Sequence, residues 1–164
     1  MYKVMPLVIY NKSENILTGT VIMIKKIFKN IKHIKKIFKI TNVGYSTVEC
    51  KLNNTPLLII NIHLNCDRSN KLRLAETNEL LKFIKTKKSF NHIIVGGDFN
   101  TNSITMHKLY INYGFKSVIE KYQITGTYLC ETPMIDYIYV KGFDVKNSKI
   151  IHDNKSKMLS LIHI

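Results

Sequence analysis

Cysteine is scarce in this chain, and the few that are present follow no recognised pattern. The three cysteines, Cys50, Cys66 and Cys130, are odd in number, and none belongs to a C-x-x-C pair. Neither a disulfide framework nor a cysteine-based zinc site is indicated, since both need paired or regularly spaced cysteines. Unpaired thiols favour a reducing compartment.

Long apolar runs are also missing. The opening MYKVMPLVIYNKS contains too short an apolar run for a secretory signal. No later segment reaches the roughly 18 apolar residues that a membrane-spanning helix needs. We therefore expect an intracellular, soluble protein that is not secreted and has no transmembrane segment.

Acidic residues are few: 11 aspartates and glutamates stand against 25 lysines and arginines, which gives a formal net charge of +14. A surplus of this size favours nucleic acid or an anionic membrane surface as the partner. Arginine is also rare, because Arg68 and Arg73 are the only two in the chain. The abundance of lysine, isoleucine and asparagine together is equally typical of translated AT-rich DNA, so a compositional origin of the charge stays open.

The apolar pattern is typical of one globular domain over residues 1–164. Two strand-like runs at 4–10 and 18–24 predict a hairpin, and a four-residue turn between 45–52 and 57–63 predicts a second one. A helical period at 71–87, capped by Ser69 or Asn70, and another at 103–113 before Gly114 predict two helices. Further strands are predicted at 92–95, 126–129, 134–140, 143–145 and 149–152. Strands with two helices around one core predict an α+β fold.

Residues 25–40 allow two interpretations. Isoleucines recur there at helical spacing, with lysines on the opposite face, which is typical of a basic amphipathic helix. Isoleucine is only a middling helix former, however, and the segment lacks capping residues. An irregular pair of strands is the alternative.

Three short segments place polar side chains at the ends of predicted strands: Asn61-Ile62-His63-Leu64, Gly97-Asp98-Phe99-Asn100 and Ile135-Asp136-Tyr137-Ile138. In the first two, the polar residues are two positions apart, so both should project from the same face of an extended chain. Each segment also has an ordinary structural explanation. A lone histidine is often a hydrogen-bonded surface residue, and Asp98 and Asn100 could simply form a turn. A carboxylate inside an apolar strand, as at Asp136, is costly unless it has a partner.

Together, in this order and spacing, the three segments resemble the endonuclease/exonuclease/phosphatase superfamily, the fold of pancreatic deoxyribonuclease. The strand 19–24 is similar to a glycine-led strand of that family, and Gly126-Thr127-Tyr128 is similar to the element before its last motif. The resemblance runs from about residue 15 to 152. It implies a two-layer β-sandwich with outer helices, and a hydrolase of phosphodiesters or phosphomonoesters that depends on a metal, Mg²⁺.

The resemblance also implies catalytic roles. Asp98 would orient or deprotonate the attacking water, and Asn100 would donate a hydrogen bond to a phosphate oxygen. His63 would lie beside the phosphate and supply a hydrogen bond or a proton. Asp136 would orient the second histidine of the family.

Three further residues are candidates for substrate binding. Asn61 and Tyr137 lie next to the predicted catalytic residues in the sequence. Arg73 and the helix after it are similar to the segment that joins the first two motifs of the family.

The sequence departs from the family pattern near its beginning. The family carries an asparagine and a metal-binding glutamate on strands upstream of the glycine-led strand. Only 18 residues precede Gly19 here, and Glu14 is the sole acid among them. We therefore expect a sandwich that is incomplete at the N-terminus and that lacks most of its metal ligands.

The sequence departs from the pattern at its end as well. The family closes on Ser-Asp-His-x-Pro, whereas Leu161 and Ile162 stand here at the aspartate and histidine positions, with His163 one residue late. A slip of one residue on a strand moves a side chain to the opposite face. Lost metal ligands should cost roughly a thousandfold in rate, since a metal contributes several kcal/mol. We therefore expect lost or severely impaired catalysis.

Two functions from different classes follow. The first is a nuclease-related phosphodiester hydrolase acting on nucleic acid, in a chain that is a fragment of a longer reading frame, a decayed copy or one completed by a partner chain. The second is a non-catalytic relic that binds nucleic acid through a lysine-rich segment: Lys25, Lys26, Lys29, Lys32, Lys35, Lys36 and Lys39. A weaker alternative places this segment on an anionic membrane as a helix.

Overall fold

The computed structural model describes residues 2–11, 16–67, 70–118, 135–146, 149–152 and 160–163. The strands within these ranges are β1 (Tyr2–Asn11), β2 (Ile16–Lys25), β3 (Lys29–Ile37), β4 (Gly44–Leu52), β5 (Thr55–His63), β6 (His92–Asp98), β7 (Lys116–Ser117), β8 (Asp136–Lys141), β9 (Lys149–His152) and β10 (Ser160–His163). The helices are α1 (Asn70–Thr86) and α2 (Ile104–Asn112).

The largest unit is a six-stranded sheet in the order β3-β4-β5-β6-β8-β7. Its neighbours pair in antiparallel fashion except for β5 and β6, which are parallel and are connected through α1. Strands β1 and β2 form the predicted hairpin, and β9 pairs with β10. The predicted second hairpin is also present. Its turn has two residues rather than the predicted four, because Asn53 and Asn54 both adopt positive φ angles and Thr55 and Pro56 already belong to β5.

Buried residues lie on both faces of the central strands of the six-stranded sheet. One set of alternating residues on β5, such as Leu58, packs with Leu81 of α1 and with residues of α2 in the larger core. The other set, such as Leu57, packs with Met5 and Ile22 from the inner side of the β1–β2 hairpin. Two β layers with the helices outside confirm the predicted α+β sandwich.

The lysine-rich segment forms a strand, as in the strand interpretation of residues 25–40. The other interpretation, a basic amphipathic helix, is wrong, and so is the membrane-bound helix built on it. Strand β3 covers Lys29–Ile37 and lies at one edge of the six-stranded sheet. Ile31 and Ile34 are half-buried, whereas the lysines of this strand are exposed. β-Branched isoleucines suit a strand, and lysines on an edge strand discourage pairing with another chain.

The other predicted elements in the described ranges are present with one exception, whereas β7 and β10 were not predicted. Helix α2 ends just before Gly114, which takes the positive φ angle of 80° that a helix C-terminus favours. The strand predicted at 143–145 is wrong, since the chain there is irregular and Phe143 instead packs against the core beneath the hairpin. Ser69 and the strand predicted at 126–129 lie outside the described residues. No helix in the described ranges is both long enough and apolar enough to cross a membrane.

Candidate functional site

Three predicted catalytic residues lie in one row across neighbouring strands. His63 ends β5 and is in register with Asp98 at the end of the parallel strand β6. Asp98 is in turn in register with Asp136 at the start of the antiparallel strand β8. Residues in register on adjacent strands project from the same face, here the face that carries the β1–β2 hairpin. The sheet therefore brings one imidazole and two carboxyl groups together at one end.

His63 and Asp98 lie close enough to interact. The His63 Nε2 atom is 3.8 Å from Asp98 Oδ2, and the two side chains are 40% and 32% exposed. Burial raises the pKa of the Asp98 carboxyl, while the Asn100 backbone N–H and the nearby His63 oppose that rise. A carboxyl group with a raised pKa beside an imidazole is suited to exchanging a proton.

Asn100 does not continue strand β6. It has a left-handed φ angle of 50°, and its backbone N–H donates to Asp98 Oδ1 at 2.7 Å. Asp98 and Asn100 therefore form a turn, which was the alternative interpretation of these two residues in the sequence. The expectation that Asp98 and Asn100 project from the same face of an extended chain is wrong for that reason. The side-chain amide of Asn100 instead donates to the Leu64 carbonyl at 2.7 Å. This bond joins the loop after β6 to the loop after β5.

Asn61 connects the two layers of the sandwich. It lies two residues before His63, and its amide nitrogen donates to the Val21 carbonyl of β2 at 2.8 Å. The hairpin is thereby attached to the large sheet directly beside the row of polar residues. This contact belongs to the packing of the fold, and a substrate-binding role for Asn61 stays a prediction.

Arg73 is 4% exposed and holds the loop after β5. Its guanidinium donates to the carbonyls of Asn65 and Asp67 and to the Asn70 side chain. Thr101, in the loop after β6, donates to the same Asn70 oxygen at 3.0 Å. These contacts position the two loops that flank His63 and Asn100, whereas direct substrate binding by Arg73 stays a prediction.

Glu76 completes this network, although no motif in the sequence marks it as a functional residue. Its side chain is fully buried and accepts hydrogen bonds from the Asn65 backbone N–H at 2.9 Å and from the Thr41 hydroxyl. Burial raises its pKa, opposed by these two bonds and by the charges of Arg73 and His63. The signal in the sequence is a pair of charged residues three positions apart on the apolar face of a predicted helix.

Tyr137 lies beneath the row rather than in it. It is 2% exposed and faces the helix side of the sheet, where its ring contacts Phe99 and His107 edge to face at 5.5 and 4.5 Å. Phe99 is held there by a 2.8 Å bond from its N–H to the Ile135 carbonyl. This aromatic cluster supports the loop that carries Asn100, and a substrate contact by Tyr137 stays a prediction.

The donor set does not form a metal site in the described part of the chain. Mg²⁺ prefers several oxygen ligands in octahedral geometry. Within the described ranges, no three histidine, cysteine, aspartate or glutamate side chains converge closely enough to hold a metal ion. Asp98 and Asp136 together could supply two oxygen ligands, which is fewer than octahedral coordination requires. The expectation of Mg²⁺ therefore depends on the family resemblance.

No family model matches the sequence, and no curated protein matches it either. Solved structures do match. The catalytic domain of human Nocturnin, solved with a bound sulfate anion, is 18% identical with a TM-score of 0.72, and the match covers 98% of this chain and 70% of that one. A mannosyl-6-phosphatase from Bacteroides thetaiotaomicron is 15% identical with a TM-score of 0.71, over 99% and 77% of the two chains. An endonuclease/exonuclease/phosphatase family protein from the same organism is 16% identical with a TM-score of 0.67, over 91% and 62%.

Proposed function

From the deoxyribonuclease-like fold of the endonuclease/exonuclease/phosphatase superfamily, which the chain shares with these solved structures, we propose that the protein is a phosphoester hydrolase of impaired activity that acts on nucleic acid. The observation that carries the proposal is the alignment of His63, Asp98 and Asp136 across β5, β6 and β8. A fold alone does not define a function, but a row of proton-exchanging side chains at a strand end does constrain the chemistry.

Asp98 is the proposed base. Attack of water on a phosphorus atom requires removal of a proton from that water, and a carboxylate with a raised pKa holds the proton more readily than an ordinary one. His63, 3.8 Å away, would donate to a phosphate oxygen or pass on a proton. Its proximity also favours the ionised form of Asp98.

Asn100 is the proposed donor to a non-bridging phosphate oxygen. One hydrogen of its amide nitrogen is directed to the Leu64 carbonyl, which fixes the orientation of the group. An amide nitrogen carries a second hydrogen. A donor held in advance in this way stabilises developing negative charge without reorganisation during the reaction.

Asp136 is proposed to act on the charge of the site. It stands directly opposite Asp98, and like charges in such a pair repel each other unless a cation or a shared proton lies between them.

The choice of nucleic acid as the substrate rests on charge. The chain carries a formal net charge of +14, and lysines neutralise phosphates along a polyanion. A protein with the same fold is named as a mannosyl-6-phosphatase, and the name describes a phosphomonoester substrate. Small phosphorylated sugars are therefore the competing substrate class.

The proposal predicts that plasmid DNA is nicked slowly in the presence of Mg²⁺, and that Asp98→Asn lowers the rate about a hundredfold or more by removing the base. Asparagine keeps the shape of the side chain and an oxygen that can accept the Asn100 N–H. The measurement is the conversion of supercoiled to open-circular plasmid, with EDTA and with Lys82→Ala, an exposed change on α1, as controls. Cleavage that is unaffected by Asp98→Asn, or none above a buffer blank, contradicts the proposal.

The same variant has an expected effect on stability. Because the folded chain binds the Asp98 proton more tightly than the unfolded chain does, the free energy of unfolding falls as the pH rises through the raised pKa. Asp98→Asn removes this loss, so we expect it to unfold at a higher temperature than the parent at pH 7. The difference should vanish below about pH 4, where an ordinary aspartate is protonated. A variant less stable than the parent at pH 7 would be inconsistent with a partly buried carboxylate that destabilises the fold.

A second candidate function, non-catalytic binding of nucleic acid, is favoured by the lysine-rich edge strand. The lysines at positions 25 to 39 are all exposed, and β3 has no neighbour on its outer side among the described residues. Such a row could follow a phosphate backbone without any chemistry at 63 or 98.

This second function predicts salt-sensitive DNA binding that survives Asp98→Asn. Replacing Lys26, Lys29, Lys32 and Lys35 with alanine should flatten the slope of log K against log salt by about 3 to 4, since each phosphate contact contributes roughly 0.9. Fluorescence anisotropy of a labelled duplex measures the slope. The control removes four exposed lysines elsewhere: Lys82, Lys108, Lys116 and Lys146. An equal change of slope in both variants would show that DNA binding depends on the overall charge and does not require the lysine-rich segment.

A further inference from the structure

A cavity of about 650 Å³ lies at the opposite end of the sheet from His63 and Asp98. It is bounded by the end of α1, the end of α2, the start of β6 and the end of β8. Because β6 rises about 3.3 Å per residue, its two ends are roughly 20 Å apart. The volume is within the usual range for sites that bind small molecules.

Four lysines line this cavity: Lys85, Lys87, Lys88 and Lys141. No aspartate or glutamate is among the described residues that line it. Glu49 lies outside the lining but pairs with Lys87, so Lys85, Lys88 and Lys141 supply the net positive charge. Concave sites with one sign of charge concentrate ligands of the opposite sign.

Two of these lysines are held in position by neighbouring groups. Lys87 Nζ lies 2.6 Å from Glu49 Oε1, and Lys141 Nζ donates to the Tyr113 carbonyl at 2.8 Å. The other two, Lys85 and Lys88, are exposed at the rim. The charge of Lys87 is already compensated by Glu49. A ligand would thus meet the oriented ammonium group of Lys141 and two at the rim that can adjust to it, and a group that is held in advance lowers the ordering cost of binding.

Aromatic rings form another part of the wall, beside two isoleucines and two asparagines. Phe90 and Tyr113 are half-buried there, whereas Phe115 is 2% exposed and supports the wall from beneath. Rings next to ammonium groups are the combination that accommodates a nucleobase by stacking while its phosphate is neutralised. The helix ends provide a competing explanation, because the carbonyl groups there also attract cations.

We infer that this cavity is a second binding site, distinct from the row at His63, for a phosphorylated aromatic ligand, namely a nucleotide that is free or part of a single strand. The inference is independent of hydrolysis, since none of the lining residues belongs to the proposed catalytic row. It predicts ligand binding by a variant that lacks the proposed base.

The test uses the full chain carrying Asp98→Asn, to exclude turnover, and two probes: adenosine monophosphate by calorimetry and a fluorescein-labelled single-stranded oligothymidylate by anisotropy. Lys85→Ala with Lys88→Ala removes two ammonium groups and should weaken binding about tenfold, which corresponds to about 1.4 kcal/mol. For the single-stranded oligonucleotide, the slope of log K against log salt should become flatter by about 1.4, because each of the two lost phosphate contacts contributes roughly 0.7.

The matched control is Lys82→Ala with Lys108→Ala, which removes the same charge from exposed positions on α1 and α2 that do not line the cavity. The site is supported if Lys85→Ala with Lys88→Ala weakens binding of either probe and the control pair does not. The probe that binds shows whether the ligand is a free nucleotide or part of a single strand. Equal weakening by both pairs, or no saturable binding of either probe, overturns it. If the cavity pair lowers the melting temperature and leaves binding unchanged, the lysines serve the helix ends and the inference fails.

Discussion

Arg73→Ala is expected to lower the free energy of unfolding by about 3 kcal/mol, because it leaves buried polar groups without their partner. Arg73 donates to the carbonyls of Asn65 and Asp67 and to Asn70. Its charge also opposes the raised pKa of the buried Glu76 carboxyl nearby. Removal of Arg73 therefore costs both hydrogen bonds and charge compensation, in addition to the packing of its aliphatic stem.

Chemical denaturation measures this loss, with Lys82→Ala as the matched change of an exposed cation on the same helix. The control should lie within about 0.5 kcal/mol of the parent, as is usual for surface substitutions. Arg73→Lys should recover part of the loss, since an ammonium group keeps the charge and cannot reproduce the planar fork of donors. A loss below about 1 kcal/mol for Arg73→Ala would show that the network does not hold the loops.

Gly97→Ala is the second change with a large expected effect, and it concerns the backbone beneath the site. Gly97 has a φ angle of 133°, which side-chain-bearing residues rarely adopt. A Cβ atom there would collide with the Ile62 carbonyl oxygen and with the Asn61 side chain on β5. Strain of this kind costs about 1–3 kcal/mol in backbone conformation alone, and the collision with β5 adds to it.

The neighbouring glycine provides the control. At Gly96 the nearest atom to an added Cβ is the Ile138 side chain at 3.4 Å, which is ordinary van der Waals contact. Gly96→Ala should therefore change the free energy of unfolding by less than about 1 kcal/mol, whereas Gly97→Ala should cost about 3 kcal/mol or more. Two equal losses would mean that the pair of glycines is needed for flexibility rather than for the close approach of β5 and β6.

The sequence predicted those elements whose local pattern and tertiary environment agree. The hairpin at Asn53 and Asn54 has a turn that only a few residue types accept, and α1 has a clear apolar period with its C-terminal lysines. The segment 29–37 stayed ambiguous because its isoleucine spacing suits a helix, while its position at a sheet edge is decided by pairing with β4. Local propensity cannot predict that pairing, because it depends on residues that are distant in the sequence.

The site was predicted in part. The row of His63, Asp98 and Asp136 follows from strand ends that the sequence marks with polar residues, and the registers of β5, β6 and β8 bring these ends together. Glu76 was not predicted, because its hydrogen bond with the Asn65 backbone N–H forms only when the loop after β5 folds against α1. Asn100 was assigned to the wrong geometry, since a left-handed turn after Asp98 cannot be distinguished from a continuing strand by spacing.

The central claim is that His63, Asp98 and Asn100 surround one phosphate. The most direct measurement is a nuclear magnetic resonance titration with inorganic phosphate, with and without Mg²⁺, that follows the His63 imidazole and the Asn100 side-chain amide. The account predicts that both sets of signals shift together and saturate at the same phosphate concentration, and that the Asp98→Asn variant changes that concentration. Signals at 63 and 100 that stay in place throughout the titration, or that shift independently of each other, would contradict a common phosphate site.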